Sequence, residues 1–290
     1  MFADAALAAR IDRTEARLCA RLVMASPAHS TGGPFVLPLD GGLALFAGPR
    51  SPMNKVIGFG FDGELDLQEL AAIEERWAER GEPVRIELSI LADPAVVAKL
   101  SERGYRLHGF ENVLACRVAG AGQPAAAAPD IAIETVGDDS FEEWFTVAID
   151  SFANMDGSGS AADAALPREE LERLFRETMG PQSVEGLTRY IARLDGEPAG
   201  EAALHVDEGL ALLAGSGTVP HLRGRGVQKA LVARRLDDAR REGCDMAVVV
   251  TAPGTRSQEN VMRRGFELLY TRAILLRPLE QVIGQERQPQ

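Results

Sequence analysis

The sequence predicts an α+β protein built from two copies of one domain, and three observations carry that prediction. Segments "RGEPVRIELSILADPAVVAKLSERGYRLHGFENVLACR" (80–117) and "REGCDMAVVVTAPGTRSQENVMRRGFELLYTRAILLR" (241–277) pass through the same order of helix end, strand, helix and strand. Their landmark glycines are almost equally spaced, 23 positions from Gly81 to Gly104 and 22 from Gly243 to Gly265. Between them lies "AGAGQPAAAAPD", whose Ala, Gly and Pro content supports neither a helical stripe nor strand alternation. The expected domains are therefore 1–118 and 131–290, joined by a linker over 119–130.

The chain opens with "MFADAALAARIDRTEARLCARLVMASP", alanine-rich but broken by Asp4, Arg10, Asp12, Arg13, Glu15 and Arg17. It lacks the apolar centre of a secretory signal and reads as an amphipathic helix. In "NKVIGFGFDGELDLQELAAIEERW" (54–77), Val56 and Ile57 enter a glycine turn, and Asp66 with Glu69 three residues on forms a capping box for the helix that follows. Gly81 ends that helix in the left-handed position expected past a C-terminus. "VRIELSI" is a β-branched strand, Pro94 opens a loop and short helix, Arg103-Gly104-Tyr105 closes it, and "FENVLACRV" is the last strand.

The second copy repeats the scheme. Strand "LALLAGSGTV" (210–219) leads through Pro220-His221-Leu222 and Arg223-Gly224-Arg225-Gly226-Val227-Gln228 into "KALVARRLDDARREG", apolar at Ala230, Leu231, Ala233 and Leu236 in helical rhythm. Gly243, "MAVVVT", Pro253, Arg264-Gly265-Phe266 and "YTRAILLR" complete it.

Acidic residues outnumber basic ones 43 to 31, a formal net charge of -12, which argues against a general nucleic-acid or membrane-surface binder. No run of 18 apolar residues is present to span a membrane. Cys19, Cys116 and Cys244 are odd in number and too far apart for a metal-type pair, so they read as reduced thiols of a cytoplasmic protein, with no metal expected.

Against that acidity, "HLRGRGVQKAL" (221–231) is a local basic turn. At a strand–turn–helix junction the first helical N–H groups lack partners, glycines permit close approach, and the helix dipole favours an anion. Arg223, Arg225 and Lys229 add full charges. The turn is either a phosphate site or a solvated basic helix start. It is not a Walker loop, because no Gly-Lys-Ser/Thr occurs, and the third glycine of a dinucleotide fingerprint is missing. The first copy has Gly58-x-Gly60-x-x-Gly63, a formal dinucleotide match that would support an oxidoreductase. Asp62 and Glu64 would repel a pyrophosphate there, and the helix begins only after the glycines.

Residues 188–277 resemble the GNAT superfamily of N-acyltransferases, whose acyl-CoA signature is Arg/Gln-x-x-Gly-x-Gly/Ala between a strand and a helix. Arg223 and Gly226 match, and Gln228 departs from the last position. The resemblance implies a three-layer α/β/α fold with a mixed, mostly antiparallel sheet, here as tandem domains whose N-terminal copy is degenerate. It also implies acetyl-CoA as cosubstrate, with the backbone from Arg223 through Gly224, Arg225, Gly226, Val227 and Gln228 to Lys229 on its pyrophosphate. Thr218 and Val219 would pair with the pantetheine arm, an N–H near Val219 would polarise the thioester, and Ser257 and Asn260 would contact the arm. Residues 141–180 would supply two early helices over the acceptor, with Gly-Ser stretch 157–160 as a pocket loop and Asp150 and Asp156 near a cationic amine.

The implied reaction is direct attack of an amine, of a small molecule or a protein, on the thioester, which needs a base and an acid. The family's usual tyrosine position falls on Val261, and strand 210–219 has no carboxylate or histidine. Glu201 and His205 on "AGEAALHV", Ser216 and Tyr270 are the candidates, and Glu201 and Tyr270 are assigned as the pair. The same departures support a second reading, a non-catalytic acyl-CoA-binding module. Monomer and homodimer are both compatible with the sequence.

Overall fold

The computed structural model describes residues 1–26, 33–120, 130–153 and 167–279. Its first copy runs α1 (Ala5–Ala25), β1 (Phe35–Leu39), β2 (Gly42–Phe46), β3 (Lys55–Ile57), α2 (Leu67–Ala78), β4 (Val84–Ser89), α3 (Pro94–Glu102) and β5 (Arg106–Arg117). The second runs β6 (Ile131–Thr135), α4 (Phe141–Phe152), α5 (Arg168–Met179), β7 (Leu187–Leu194), β8 (Glu197–Asp207), β9 (Leu210–Leu212) and β10 (Ser216–Thr218). It ends with α6 (Val227–Arg241), β11 (Met246–Thr251), α7 (Arg256–Met262) and β12 (Glu267–Arg277). The repeat is thus present in the backbone as β3-α2-β4-α3-β5 and β10-α6-β11-α7-β12.

Local chemistry explains the element ends. Gly81, Gly104, Gly243 and Gly265 all have positive φ, the helix-ending conformation the sequence implied. Asp66 caps α2 by accepting from the amides of Gln68 and Glu69. The capping box is incomplete, because the Asp66 amide donates to Asp40 Oδ2 at 3.1 Å and not to Glu69. Asp40-Gly41, Asp195-Gly196 and Glu208-Gly209 have both residues left-handed, which closes β1–β2, β7–β8 and β8–β9 as tight hairpins.

The chain divides into two compact units that do not follow the expected boundaries. One holds residues 2–111, 177–182 and 270–290, and the other holds 112–176 and 183–269 with Met1. Most of the expected linker, residues 121–129, lies outside the described residues, as do the stretch 157–160 and Asp156.

The N-terminal unit has the strand order β1-β2-β3-β4-β12, with β3 and β4 parallel and the rest antiparallel. Phe35, Phe46, Trp77, Leu70, Ile86 and Leu100 belong to its core. In the C-terminal unit the order is β5-β11-β9-β8-β7-β6, with β10 paired to β8; only β9–β11 is parallel. Helices cover both faces of this sheet. A Cβ on Gly200 would meet Val227 and Leu231 of α6, whereas one on Gly217 would meet Ser151 of α4.

The last strands of the two copies are exchanged. Asn112–Arg117 of β5 pairs with β11, and Arg272–Arg277 of β12 pairs with β4. In each unit the last strand of the other copy stands beside a parallel pair, β3–β4 or β9–β11. Fully buried Arg272 contacts Asp12 at 2.7 Å, Glu15 at 2.7 Å and Glu111 at 2.9 Å, all in the N-terminal unit. Lys55 bridges Glu15 at 3.1 Å and Glu87 at 2.9 Å in the same cluster. Burial, aided by the charge of Glu87, pushes the Glu111 carboxyl up to about 7.

Candidate active site

The site begins with a break in the C-terminal sheet. β9 lies between β8 and β11, and the Leu213 amide still donates to Val248 at 2.8 Å. The Ala214 amide then turns back to Leu212 at 3.0 Å, Gly215 takes φ +49°, and the Ala203 amide reaches both Ala214 and Gly215. This bulge re-aims the strand. Beyond it, β10 keeps β8 as partner but not β11, while β11 continues along β5 to Thr251.

Ladder alternation tells which groups the break exposes. The Ala203 amide donates to Gly215, at 3.4 Å, and the Val219 amide to Ala199, at 3.0 Å, so alternate residues face β8. The amides of Ser216 and Thr218 therefore point to the open edge. Val219 N–H is engaged, which leaves Thr218 as the amide near Val219 able to meet a carbonyl.

β10 leads through Pro220–Leu222 to the basic turn. Gly224 has φ +78° and Gly226 φ +91°; the latter is the N-cap of α6, with no side chain capping it. The first helical bond runs from Ala230 to Gly226 at 3.0 Å, so the amides of Val227, Gln228 and Lys229 have no intrahelical acceptor. That is a cradle for an anion. Arg223 Nε donates to the Thr218 carbonyl at 3.2 Å, Arg225 pairs with Asp195 at 3.2 Å, and Lys229 is exposed.

Past the open end of β11, Thr255 caps α7 by accepting from the Gln258 amide. Asn260 Nδ2 donates to Gln228 Oε1 at 2.6 Å, so two residues assigned from sequence meet between α6 and α7. Ser257, also on α7, is exposed.

Glu201 lies on β8 opposite Gly217 of β10 and is only 2% exposed. Burial pushes its carboxyl up to about 7, against the charge of Arg235 and a hydrogen bond from the Gly217 backbone. Its Oε1, like the Oγ of Ser151, is buried without a hydrogen-bond partner. The absent side chain of Gly217 makes their room: a Cβ there would lie 2.3 Å from Ser151 Cβ and 3.0 Å from Glu201 Oε1. Behind the sheet, Arg235 donates to the carbonyls of Ala203 and Gly215, and burial lowers its pKa to about 10. Ser151, Gly217 and Arg235 were not foreseen from sequence; the glycine that opens "GTV" (217–219) was the available signal.

The other assigned residues are placed elsewhere. His205 is fully buried, its ring packed under Gly186. Ser216 Oγ is buried one residue from Gly217, on the opposite face by alternation. Asp150 pairs with Arg168 at 2.7 Å. Tyr270 belongs to the N-terminal unit, where its hydroxyl donates to Asp12 Oδ1 at 2.5 Å. Its strand, β12, pairs with β4 of that unit.

Residues 152–266 match the sequence profile of the acetyltransferase (GNAT) family. This segment is a GNAT domain. It contains Glu201, the strand break, the basic turn and α7, and ends before Tyr270. Among solved structures, a GCN5-related N-acetyltransferase from Kribbella flavida is similar with TM-score 0.64 and 21% identity, over 94% of this chain and 96% of that one. A tandem GNAT protein from the clavulanic acid biosynthesis pathway gives TM-score 0.57 and 15% identity over 86% and 80%. A GCN5-related N-acetyltransferase from Sphaerobacter thermophilus gives 0.51 and 14% over 73% and 67%. These likenesses show the fold, in tandem form. No curated protein matches the chain. Among the described residues, no group of three or more His, Cys, Asp and Glu could hold a metal ion, and no helix is long and apolar enough to cross a membrane.

Proposed function

We propose that the C-terminal unit is an acetyl-CoA-dependent N-acetyltransferase acting on an amine of a small molecule or a protein. One observation carries the reading: the sheet opens at β10 and the same strand runs directly into an uncapped helix start at Gly226. The open edge of β10 fits an extended amide-bearing arm, and the amides of Val227, Gln228 and Lys229 fit a diphosphate. Acetyl-CoA would supply the activated thioester. The Thr218 amide would then be the donor beside the thioester carbonyl, where developing negative charge is stabilised.

Glu201 is the base in this reading. As the amine nitrogen bonds to the acyl carbon, the carbon–sulfur bond breaks with its electron pair leaving on sulfur, CoA departs as a thiolate that takes a proton from water, and the Glu201 carboxylate accepts the proton the amine loses. A carboxyl at about 7 suits that task near neutral pH. Tyr270 is engaged by Asp12, so the reading keeps Glu201 alone.

The test is thiol release from acetyl-CoA across a panel of primary amines, with wild type and Glu201→Gln. The reading expects turnover with at least one amine and a loss of about 10²- to 10⁴-fold in kcat for Glu201→Gln. A second reading, a non-catalytic acyl-CoA-binding module, draws on the near-complete burial of Glu201. CoA binding without thiol release for any amine would favour it, and absence of CoA binding would sink both.

A further inference from the structure

Gln228 stands where the acyl-CoA signature has Gly or Ala, and its side chain is engaged by α7. It sits in the first turn of α6, which follows β10; Asn260 sits on α7, which follows β11. The Asn260 Nδ2 to Gln228 Oε1 bond, 2.6 Å between two half-buried side chains, joins the elements that flank the opening.

A carboxamide is chemically two-sided, with donors on nitrogen and an acceptor on oxygen. With Nδ2 donating to Gln228, the acceptor Oδ1 of Asn260 is the atom left to serve a ligand. A pantetheine arm carries two secondary amides, and their N–H groups need acceptors when removed from water. We infer that Gln228 is a positioning residue: it holds the Asn260 carboxamide so that Oδ1 accepts an amide N–H of the pantetheine arm. This rests on the acyl-CoA reading above. It gives the departure at position 228 a role that a Gly or Ala there could not perform.

The experiment is calorimetric titration of the full chain with CoA and with adenosine 3′-phosphate 5′-diphosphate, which has the nucleotide and diphosphate but no arm. The proteins are wild type, Gln228→Ala, Gln228→Glu, Asn260→Ala and the Gln228→Ala/Asn260→Ala double variant. Gln228→Ala should weaken CoA about tenfold, the scale of one hydrogen bond, and leave the nucleotide unchanged. Gln228→Glu keeps the acceptor but puts a carboxylate beside the diphosphate cradle, so it should weaken CoA and the nucleotide by the same factor, and the double variant should be no weaker than Asn260→Ala, because the two act through one contact. Equal weakening of both ligands by Gln228→Ala would place its effect on the turn and overturn the inference, as would additive losses in the double variant. Unchanged CoA affinity in Gln228→Ala, with wild type binding CoA normally, would overturn the inference while leaving the acyl-CoA reading intact.

Discussion

Replacing Arg272 with Ala should destabilise the N-terminal unit, although the residue lies in the second sequence copy. Arg272 is 0% exposed and contacts three carboxylates, two of them within 2.7 Å. Removing it leaves Asp12, Glu15 and Glu111 facing one another in the interior, and breaking a buried ion pair from one side costs about 3–5 kcal/mol. At about 2–4 °C per kcal/mol for a domain of 150–250 residues, the melting temperature should fall by roughly 6–20 °C. The protein contains two tryptophans, Trp77 in the N-terminal core and Trp144 in the C-terminal unit. Melting curves of single-tryptophan variants therefore report each unit by itself. Arg272→Ala should lower the Trp77 transition, and Arg272→Met combined with Asp12→Asn and Glu15→Gln should lower it less. The pH dependence has a defined sign. The Glu111 carboxyl is raised from 4.5 to about 7 by burial and the Glu87 charge, so its contribution is full below about 4.5 and is lost as pH rises through about 7. A lowered Trp144 transition with an unmoved Trp77 transition would refute the reasoning, because it would place the Arg272 contacts in the other unit.

Gly217→Ala would bring a Cβ to 2.3 Å from Ser151 Cβ, so it should destabilise the C-terminal unit by about 1–3 kcal/mol. Ser151→Gly in the same chain should recover most of that in chemical denaturation followed at Trp144; no recovery would show that the α4 contact is not the cause. Gly226 has φ +91°, and a Cβ there would come no nearer than 3.8 Å to its first neighbour, Ile131 Cδ1, so Gly226→Ala suffers from backbone strain and not from crowding. It should cost about 1–2 kcal/mol and weaken CoA in titration, and wild-type affinity would remove the turn from the site. For Glu201, kcat/KM should rise with pH through about 7 as the carboxyl ionises. Over the same interval the Trp144 transition should fall, since a carboxyl raised by burial stabilises only while protonated; a pH-independent rate would remove Glu201 as the base.

Much of the fold could be read from the sequence because its signals are local. Glycines 81, 104, 243 and 265 mark helix ends through their own φ, and Asp66 marks a helix start through its own side chain. The hairpins at Asp40-Gly41, Asp195-Gly196 and Glu208-Gly209 carried an equally local signal. The strand exchange carried none. Alternation in "YTRAILLR" says that a strand forms, not which sheet receives it, and the deciding contacts of Arg272 lie 257 to 260 residues away at Glu15 and Asp12. Tyr270 shows the same limit: its strand was legible, whereas its pairing with Asp12 in the N-terminal unit was not.

Glu201 illustrates a different kind of non-local information. As a carboxylate on a strand it was visible, but its burial depends on what Gly217, on the neighbouring strand, does not have. A side chain at 217 would come against both Ser151 and Glu201 Oε1, and would hold α4 away from β10. The strand entering the basic turn carries no carboxylate of its own, so the acidic group beside it is supplied from β8 over a glycine. In the proposed reading the carboxylate comes from β8 in place of the opened strand, which leaves no motif along either one. A search for a base in such domains should therefore follow cross-strand register, pairing every glycine of the opened strand with the residue opposite it.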